Sequence, residues 1–297
     1  MRFFFKLLSR FSLDALYRIV GRPIFDWGYY IVRWRRKLAA DNIARSFPEL
    51  PAEAHAEILE QSYRNLGDIV AEIIWSYGAT PDQIRQRVEV LNPEVVVDRV
   101  RAGQSVLLMT AHYCNWEWQV LAGNTWLDEP MFPVYKPQRW GAMDRFLREA
   151  RGRFGGTPIR ADQLKRELLR RRGEAHVYAL VADQTPAHDE SKHWTTFLHQ
   201  DTAFFVGAGK IARFLDADVV YVDMKRVGRG RYAVHFDVLA EPPYEDRADE
   251  VIVERYAGAL ERAVRRDPSC FLWLQKRWKY ARPVEPARAA EADTAPP

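Results

Sequence analysis

The chain has 297 residues, which is enough for one large domain with an appended segment. Its two cysteines, Cys114 and Cys270, exclude a disulfide framework and a four-cysteine zinc site. The net charge of +4 is uneven, because residues 1–45 carry ten Arg or Lys against three Asp, and residues 145–172 carry ten against three acidic residues. Two such basic regions predict anionic partners, although no zinc-finger, RNP or helix-turn-helix signature indicates nucleic acid.

Residues 3–32 predict an amphipathic helical segment, with charges every four residues at Arg10, Asp14, Arg18, Arg22 and Asp26. No uncharged run of about 18 residues is present, so a simple transmembrane helix is disfavoured. Pro23 is predicted to break or kink the segment. Basic and Trp residues follow over 27–37, which is typical of an interfacial anchor, while a helix pair covering the core is the other interpretation. We therefore expect a membrane-associating segment over residues 1–40.

Hydrophobic periodicity predicts alternating helices and strands over residues 41–283, followed by a disordered tail over residues 284–297. Helices are predicted over 52–77, 94–102, 116–126, 143–154, 163–172, 204–215 and 250–266. Strands are predicted over 105–110, 131–136, 157–159, 175–182, 219–227 and 232–239. Residues 187–203 are predicted to form a long polar loop. The alternation indicates an α/β domain with a mainly parallel central sheet flanked by helices, preceded by the amphipathic N-terminal segment.

A histidine and a carboxylate lie where the first buried strand gives way to a helix. His112 follows the apolar run over 105–110, Asn115 is a candidate N-cap, and Glu117 falls in the first helical turn. A neutral imidazole accepts a proton near pH 7, and a carboxylate on its other nitrogen fixes the tautomer. His112 and Glu117 have the residue types and spacing for such a pair. Taken alone, a backbone-bonded His and a Glu at a helix N-terminus explain the spacing equally well.

Two more candidates follow later strands. Lys136 comes at the end of the strand over 131–136, and Asp183 follows the strand over 175–182. The carboxyl ends of parallel strands meet at one edge of a sheet, where ligands bind in open α/β folds. We therefore expect His112, Lys136 and Asp183 to converge on one crevice.

Residues 110–117, Thr-Ala-His-Tyr-Cys-Asn-Trp-Glu, resemble the His-x4-Asp/Glu motif of glycerolipid-type acyltransferases. A fuller set of residues resembles the lipid A biosynthesis acyltransferases, the lauroyl and myristoyl transferases of Gram-negative bacteria. The residues of this set occur in the family's order and spacing and are spread over residues 1–283. The set comprises Asn42, Phe47-Pro48, 134–137, Met143-Asp144, 151–155, 182–184, 204–207 and 277–279. Lys136 departs from the family pattern, which usually has Arg there, and the change removes bidentate geometry.

The resemblance implies an enzyme at the cytoplasmic face of the inner membrane. It implies transfer of a fatty acyl chain from acyl carrier protein to a hydroxyl of a lipid A precursor, with His112 and Glu117 as the catalytic dyad. Arg151 and Asp183 match further active-site positions, and we expect Arg151 to stabilise the oxyanion and Asp183 to bind substrate or a basic partner. The thioester is already activated, so no cofactor or metal is expected. Related enzymes acylate glycolipids, aminolipids or polyene pigments, and these remain the alternative acceptors.

Three rival chemistries and one non-catalytic function are open from the sequence. Cys114, two residues from His112, would allow a covalent route, although a buried and inert Cys is more common. His188, His193 and His199 have spacings that do not align three metal ligands on one helical face. Residues 207–210 lack the complete phosphate-binding loop pattern. A membrane-binding protein without activity would also account for the basic patches and aromatic residues.

Overall fold

The computed structural model describes residues 2–127, 130–138 and 140–283. The tail predicted to be disordered, residues 284–297, lies outside the described residues. The chain forms a mixed α/β fold in which a central sheet is covered by helices, as the sequence predicts. The helices are α1 (Arg2–Leu8), α2 (Leu13–Leu16), α3 (Arg22–Asp26), α4 (Arg36–Ser46), α5 (Ala52–Ser76), α6 (Pro81–Arg85), α7 (Glu94–Arg101), α8 (Trp116–Trp126), α9 (Gly141–Arg151), α10 (Leu164–Arg170), α11 (Gly207–Leu215) and α12 (Ala248–Arg266).

The central sheet has seven strands in the order β1-β9-β8-β2-β5-β3-β4. All neighbouring strands pair in parallel except β8 and β9, which form an antiparallel hairpin. The buried strand β2 consists of five fully buried residues, as expected for a parallel strand covered on both faces. The strands are β1 (Val88–Val90), β2 (Val106–Thr110), β3 (Met131–Tyr135), β4 (Ile159–Arg160), β5 (Val177–Val181), β6 (Lys192–Phe197), β7 (Gln200–Phe205), β8 (Asp218–Gly228) and β9 (Arg231–Ala240).

The region predicted to be a long polar loop instead contains a second, two-stranded sheet. Strands β6 and β7 pair antiparallel around a two-residue turn. The turn residues Leu198 and His199 both have positive φ, which matches the twist of a tight hairpin. Strand β7 extends to Phe205, so α11 begins at Gly207, three residues later than the predicted start of that helix at residue 204. Side chains from this hairpin, such as Phe197 and Phe204, join the core, and their burial offsets the polar character of the segment.

The N-terminal segment forms one continuous helical rod over residues 13–31, which we call the N-terminal rod. The helix continues through Pro23, so of the predicted break or kink the break is absent. The five-residue turn Tyr17–Gly21 has π-helical hydrogen bonding directly before Pro23, and this altered ladder accommodates the missing N–H. Among the described residues, no helix has both the length and the apolarity needed to cross a membrane.

The N-terminal rod packs directly against α5, and its buried residues belong to the same core as the sheet. The two helices cross at Gly21 and Gly67, where backbone meets backbone. A Cβ added to Gly21 would lie 3.1 Å from the carbonyl oxygen of Gly67, and one added to Gly67 would overlap the carbonyl of Gly21. The close approach therefore requires glycine at Gly67, while a side chain at Gly21 would fit only with a small shift of the two helices.

Candidate active site

Strand pairing brings His112 and Asp183 together. Thr110 of β2 lies opposite Val181 of β5, and the backbone N–H of Ala182 donates to the Thr110 carbonyl at 2.9 Å. Each strand then continues by two residues, so His112 and Asp183 leave the sheet side by side. The predicted convergence of these two residues at the carboxyl edge is therefore present in the structure.

The imidazole of His112 is held by Asp183. The distance from His112 Nδ1 to Asp183 Oδ1 is 2.8 Å, and the same oxygen accepts the backbone N–H of His112 at 3.1 Å. Asp183 is fully buried, and its other oxygen accepts from Gln275 Nε2 at 3.0 Å. These contacts orient the ring and direct Nε2 away from Asp183. The His112 side chain remains 18% exposed, so part of the ring is open to a ligand, and Gln184 is the neighbour that Nε2 contacts.

The pair also sets the charge of the site. Burial disfavours imidazolium, but the negative charge and hydrogen bond of Asp183 outweigh it and raise the pKa of His112 above its ordinary value. Burial likewise opposes ionisation of Asp183, yet the charge and hydrogen bonds of His112, with the bond from Gln275, lower the pKa of that carboxyl. Asp183 is therefore an anion that favours a proton on His112.

Glu117 does not occupy the position predicted for it. Its carboxylate pairs with Arg151, whose Nε and Nη2 donate to the two carboxylate oxygens at 2.8 and 2.5 Å. Both side chains are largely buried, at 9% and 15% exposure. Glu117 and Arg151 act on the pKa of His112 in opposite directions, Glu117 raising and Arg151 lowering it, so the pair lies in the electrostatic environment of the ring. The ring partner is Asp183 because β5 lies next to β2, whereas Glu117 points from α8 towards α9.

The structure separates Lys136 from this group. Lys136 follows β3, and β5 lies between β3 and β2, which places the strands about 10 Å apart. Its side chain is 68% exposed, and its ammonium nitrogen lies 3.8 Å from the carboxylate of Glu190. Lys136 is thus at the rim of the site, away from the His112 ring.

Asn115 and Glu72 fix the start of α8. The Asn115 side chain accepts from the N–H of Trp118 at 3.0 Å, which confirms the predicted N-cap. Its amide donates to the fully buried Glu72 of α5 at 2.7 Å. Tyr17 and Tyr232 also donate to Glu72, each at 2.7 Å. Burial raises the pKa of Glu72, and these three donors oppose that shift. Sequence reasoning missed Glu72, although an acidic residue on the apolar face of a predicted helix was the available signal.

Two glutamines complete the contacts around the pair. Gln184 Nε2 lies 3.4 Å from His112 Nε2, and Gln275 reaches Asp183 from the C-terminal segment. Gln184 follows Asp183 directly and belongs to residues 182–184 of the set that resembles the family. Gln275 stands alone in an aromatic and basic stretch, and no sequence signal distinguishes it.

The rival nucleophile Cys114 is not prepared for covalent chemistry. The side chain is 2% exposed, and its thiol lies 3.5 Å from the Met224 carbonyl, to which it donates. Burial raises the pKa of the thiol well above its ordinary value, so the reactive thiolate is disfavoured.

The three histidines considered for a metal have separate partners. His193 contacts Glu254, His199 lies near Glu49, and His188 packs against Tyr280. Within residues 2–127, 130–138 and 140–283, no group of three His, Cys, Asp or Glu side chains could hold a metal ion.

The burial of Glu117 and Arg151 leads to a stability prediction. Replacing either alone, as Glu117→Gln or Arg151→Met, should reduce the free energy of unfolding by about 3 kcal/mol, because one buried charged or polar partner is left uncompensated. The double variant should lose clearly less than the sum of the two. Urea unfolding of the four proteins measures this coupling.

The matched control is the exposed pair of Arg85 and Asp82, whose side chains are 43% and 80% exposed. Asp82→Asn should cost less than about 1 kcal/mol. Additive losses for Glu117 and Arg151, or losses as small as this control, would show that the bidentate pair does not hold α8 to α9.

The sequence is similar to a known protein family. Residues 3–280 match the family model described as bacterial lipid A biosynthesis acyltransferase. A comparison with individually curated proteins gives no match. The family model covers nearly the whole chain, including β2, β5, α8 and α9, which carry His112, Asp183, Glu117 and Arg151. The chain therefore belongs to the bacterial lipid A biosynthesis acyltransferase family and is an acyltransferase.

Proposed function

We propose that the protein transfers a fatty acyl chain from acyl carrier protein to a hydroxyl of a lipid A precursor, at the cytoplasmic face of the inner membrane. The observation that carries the proposal is the oriented His112–Asp183 pair with a partly exposed ring. Membership of the family supports lipid acyl transfer, and the alternative acceptors are another glycolipid, an aminolipid or a polyene pigment.

His112 acts as the general base. Its Nε2 takes the proton from the acceptor hydroxyl as the hydroxyl oxygen attacks the thioester carbonyl carbon. The resulting imidazolium is stabilised by Asp183 at Nδ1. Collapse of the tetrahedral intermediate breaks the carbon–sulfur bond, and the imidazolium returns the proton to the departing thiolate. His112 is neutral again at the end of the reaction, and the products are an ester and a free thiol.

Glu117 and Arg151 contribute charge and position. The bidentate bond uses Nε and Nη2 of Arg151, so Nη1 keeps its donors for the developing oxyanion. Fixed donors near a forming oxyanion are commonly worth about 3 kcal/mol. In this proposal Glu117 acts through Arg151, and the catalytic dyad anticipated from the motif becomes a two-carboxylate arrangement. Asp183 holds the ring, and Glu117 holds the arginine.

A narrow apolar cavity next to the site supports a fatty acyl donor. It lies between one face of the sheet and helices α7 and α8, and its lining residues are apolar or glycine except Thr110 and Gln119. Thr110 precedes His112 by two residues, so the cavity begins at the active-site edge. The cavity volume is about 40 Å³. Since that is room for about three water molecules, a long chain enters only as flexible side chains move. Met131 at the far end, against Gly123, is the most adaptable of them.

Surface composition supports a membrane-bound acceptor and an acidic carrier. Among the residues whose burial the structure describes, half of the exposed large hydrophobic ones lie within residues 7–34, including Trp27 at 61% and Ile31 at 69% exposure. Arg166 and Arg170 on α10 are 73% and 64% exposed and available to an acidic partner. Arg171 is only 11% exposed and is bonded to Glu167, so it belongs to the fold rather than to a docking surface.

Acyl transfer can be measured directly by mass spectrometry. Purified protein, an acyl carrier protein thioester and a lipid A precursor should give a product heavier by one acyl chain. His112→Ala should lower kcat/KM by at least about 100-fold, because general-base catalysis is lost. His199→Ala, at an exposed histidine in the β6–β7 turn, is the matched control and should leave the rate unchanged.

Full activity of His112→Ala would refute the proposed mechanism. Replacing the precursor with a total lipid extract identifies the acceptor. Acylation of another lipid, with none on the lipid A precursor, would contradict the proposed acceptor and favour the alternative.

The apolar cavity predicts how chain-length preference changes. Ala179→Leu narrows its middle and should lower kcat/KM for long donors by about fourfold per excluded methylene, because burying one methylene is worth about 0.8 kcal/mol. Met131→Ala opens the far end and should favour longer donors. Competition between carrier-bound donors of different lengths measures both shifts.

Val227→Leu, on the 62% exposed Val227 of β8, is the control and should leave the preference as in the wild type. Unchanged preference in both cavity variants would mean that the acyl chain binds elsewhere.

A further inference from the structure

A second cavity, larger and polar, lies against α5 and shares no lining residue with the apolar one. Its volume is about 470 Å³, and it is bounded by the N-terminal rod, α5 and the end of the β8–β9 hairpin. Five arginine side chains and one carboxylate line it. They are Arg18 and Arg22 of the rod, Arg64 and Asp68 of α5, and Arg226 and Arg229 of the hairpin. We call this the arginine pocket.

Asp68 accounts for two of the five cations. Arg226 Nη2 and Arg229 Nη2 donate to its two oxygens at 2.7 and 2.5 Å. Asp68 is 5% exposed, so both guanidinium groups are drawn to one buried carboxylate. Two positive charges on one negative charge leave an excess of positive charge at this wall of the pocket.

The other three arginines form no buried ion pair within the described residues. Arg18 has no carboxylate within ion-pair distance in the described part of the chain. Arg22 pairs with Asp26 and Arg64 with Glu60, each one helical turn away. These two pairs are exposed, with side-chain exposures of 59% and 38% for the first and 38% and 37% for the second, and such pairs add little stability. The three groups can therefore turn to an anion in the pocket.

Aromatic rings hold two of the guanidinium groups in place. Arg229 lies 3.9 Å above the ring of Tyr17, and Arg64 lies 4.3 Å above the ring of Phe25. A guanidinium stacked on a ring keeps its N–H edge free for oxygen atoms. The Gly21–Gly67 contact fixes the two helices that carry Tyr17, Phe25 and Arg64. The pocket is thus preorganised for a ligand with several acceptor oxygens.

The rim of the pocket adjoins exposed apolar side chains. Ile19, 51% exposed, lies between Arg18 and Arg22 on the rod. The strongly exposed Trp27 and Ile31 follow at intervals of about two turns and one turn along it. An anion presented beside an apolar surface is the pattern of an amphiphile with a charged headgroup.

We propose that the arginine pocket binds a phosphate group, carried by an anionic lipid at the membrane surface. Phosphate offers pairs of oxygens that guanidinium forks match, and the five arginines exceed in charge the three carboxylates paired with them, Asp26, Glu60 and Asp68. The inference is independent of the acyl-transfer chemistry, because none of the pocket residues belongs to the His112 site.

Vesicle flotation of the full chain tests the proposal. The vesicles are phosphatidylcholine with and without phosphatidic acid. Arg18→Gln with Arg64→Gln should lower the affinity for phosphatidic acid vesicles by at least about tenfold, since each charge-assisted hydrogen bond is worth about 1.5 kcal/mol or more. Arg18→Lys with Arg64→Lys keeps the charge but removes the bidentate guanidinium geometry, and should also lower the affinity for phosphatidic acid vesicles.

Arg247→Gln with Arg262→Gln removes the same charge from exposed positions on and next to α12 and is the matched control. It should change the affinity less than twofold. An equal loss in this control would mean that the protein recognises general negative charge and would overturn the proposal. Unchanged binding by the Gln pair or by Arg18→Gln alone would overturn it too, and thermal melts confirm that each variant is folded.

The source of the phosphate is distinguished with glycerol 3-phosphate in solution. Release of the protein from vesicles by this soluble ester, with an affinity matching that for phosphatidic acid, would assign the pocket to a free phosphate compound. Binding to vesicles that the soluble ester does not disturb would assign it to the lipid. The second outcome is the expected one, and the first would overturn the lipid as the source of the phosphate. In either case the Gln pair should weaken the binding.

Discussion

The candidate active site depends on one constraint, the in-register pairing of β2 with β5. Because Thr110 lies opposite Val181, each strand delivers a functional side chain two residues later, at the same height above the sheet. The 2.8 Å contact of His112 with Asp183 follows from that register. A slip of one residue would turn the two side chains to opposite faces. The geometry of the candidate site is thus set by main-chain hydrogen bonds between the two strands.

The buried Glu72 connects the candidate site to the rest of the fold by hydrogen bonds. It accepts hydrogen bonds from the N-terminal rod, from β9 and from the N-cap of α8, and so joins three layers at one carboxylate. One helical turn away, Asp68 holds the hairpin arginines. Helix α5 therefore carries two carboxylates with different tasks. Glu72 fixes the helix that presents Glu117, while Asp68 shapes the arginine pocket.

The sequence predicted the α/β architecture because apolar runs, caps and turn residues are local signals, and α8 agrees with its predicted bounds. It also predicted that His112 and Asp183 share an edge. It did not predict their contact, since the spacing of five residues favoured Glu117 as the partner. Asp183 is 71 residues away, and only strand order brings it to the ring. The β6–β7 hairpin was missed because consecutive polar residues, such as those at 195–196 and 200–202, interrupt the alternation expected of a strand.

The most direct test of the account is the pKa of His112, measured by NMR of histidine-labelled protein. With Asp183 on Nδ1, the wild-type pKa should lie above the ordinary value of 6.5. Asp183→Asn should lower it by at least about one unit, because burial then acts unopposed. In the proposed mechanism the neutral imidazole is the base, so activity should fall as pH drops through the raised pKa. In Asp183→Asn this fall should occur at lower pH. A wild-type pKa at or below 6.5, or one that Asp183→Asn leaves unchanged, would contradict the account.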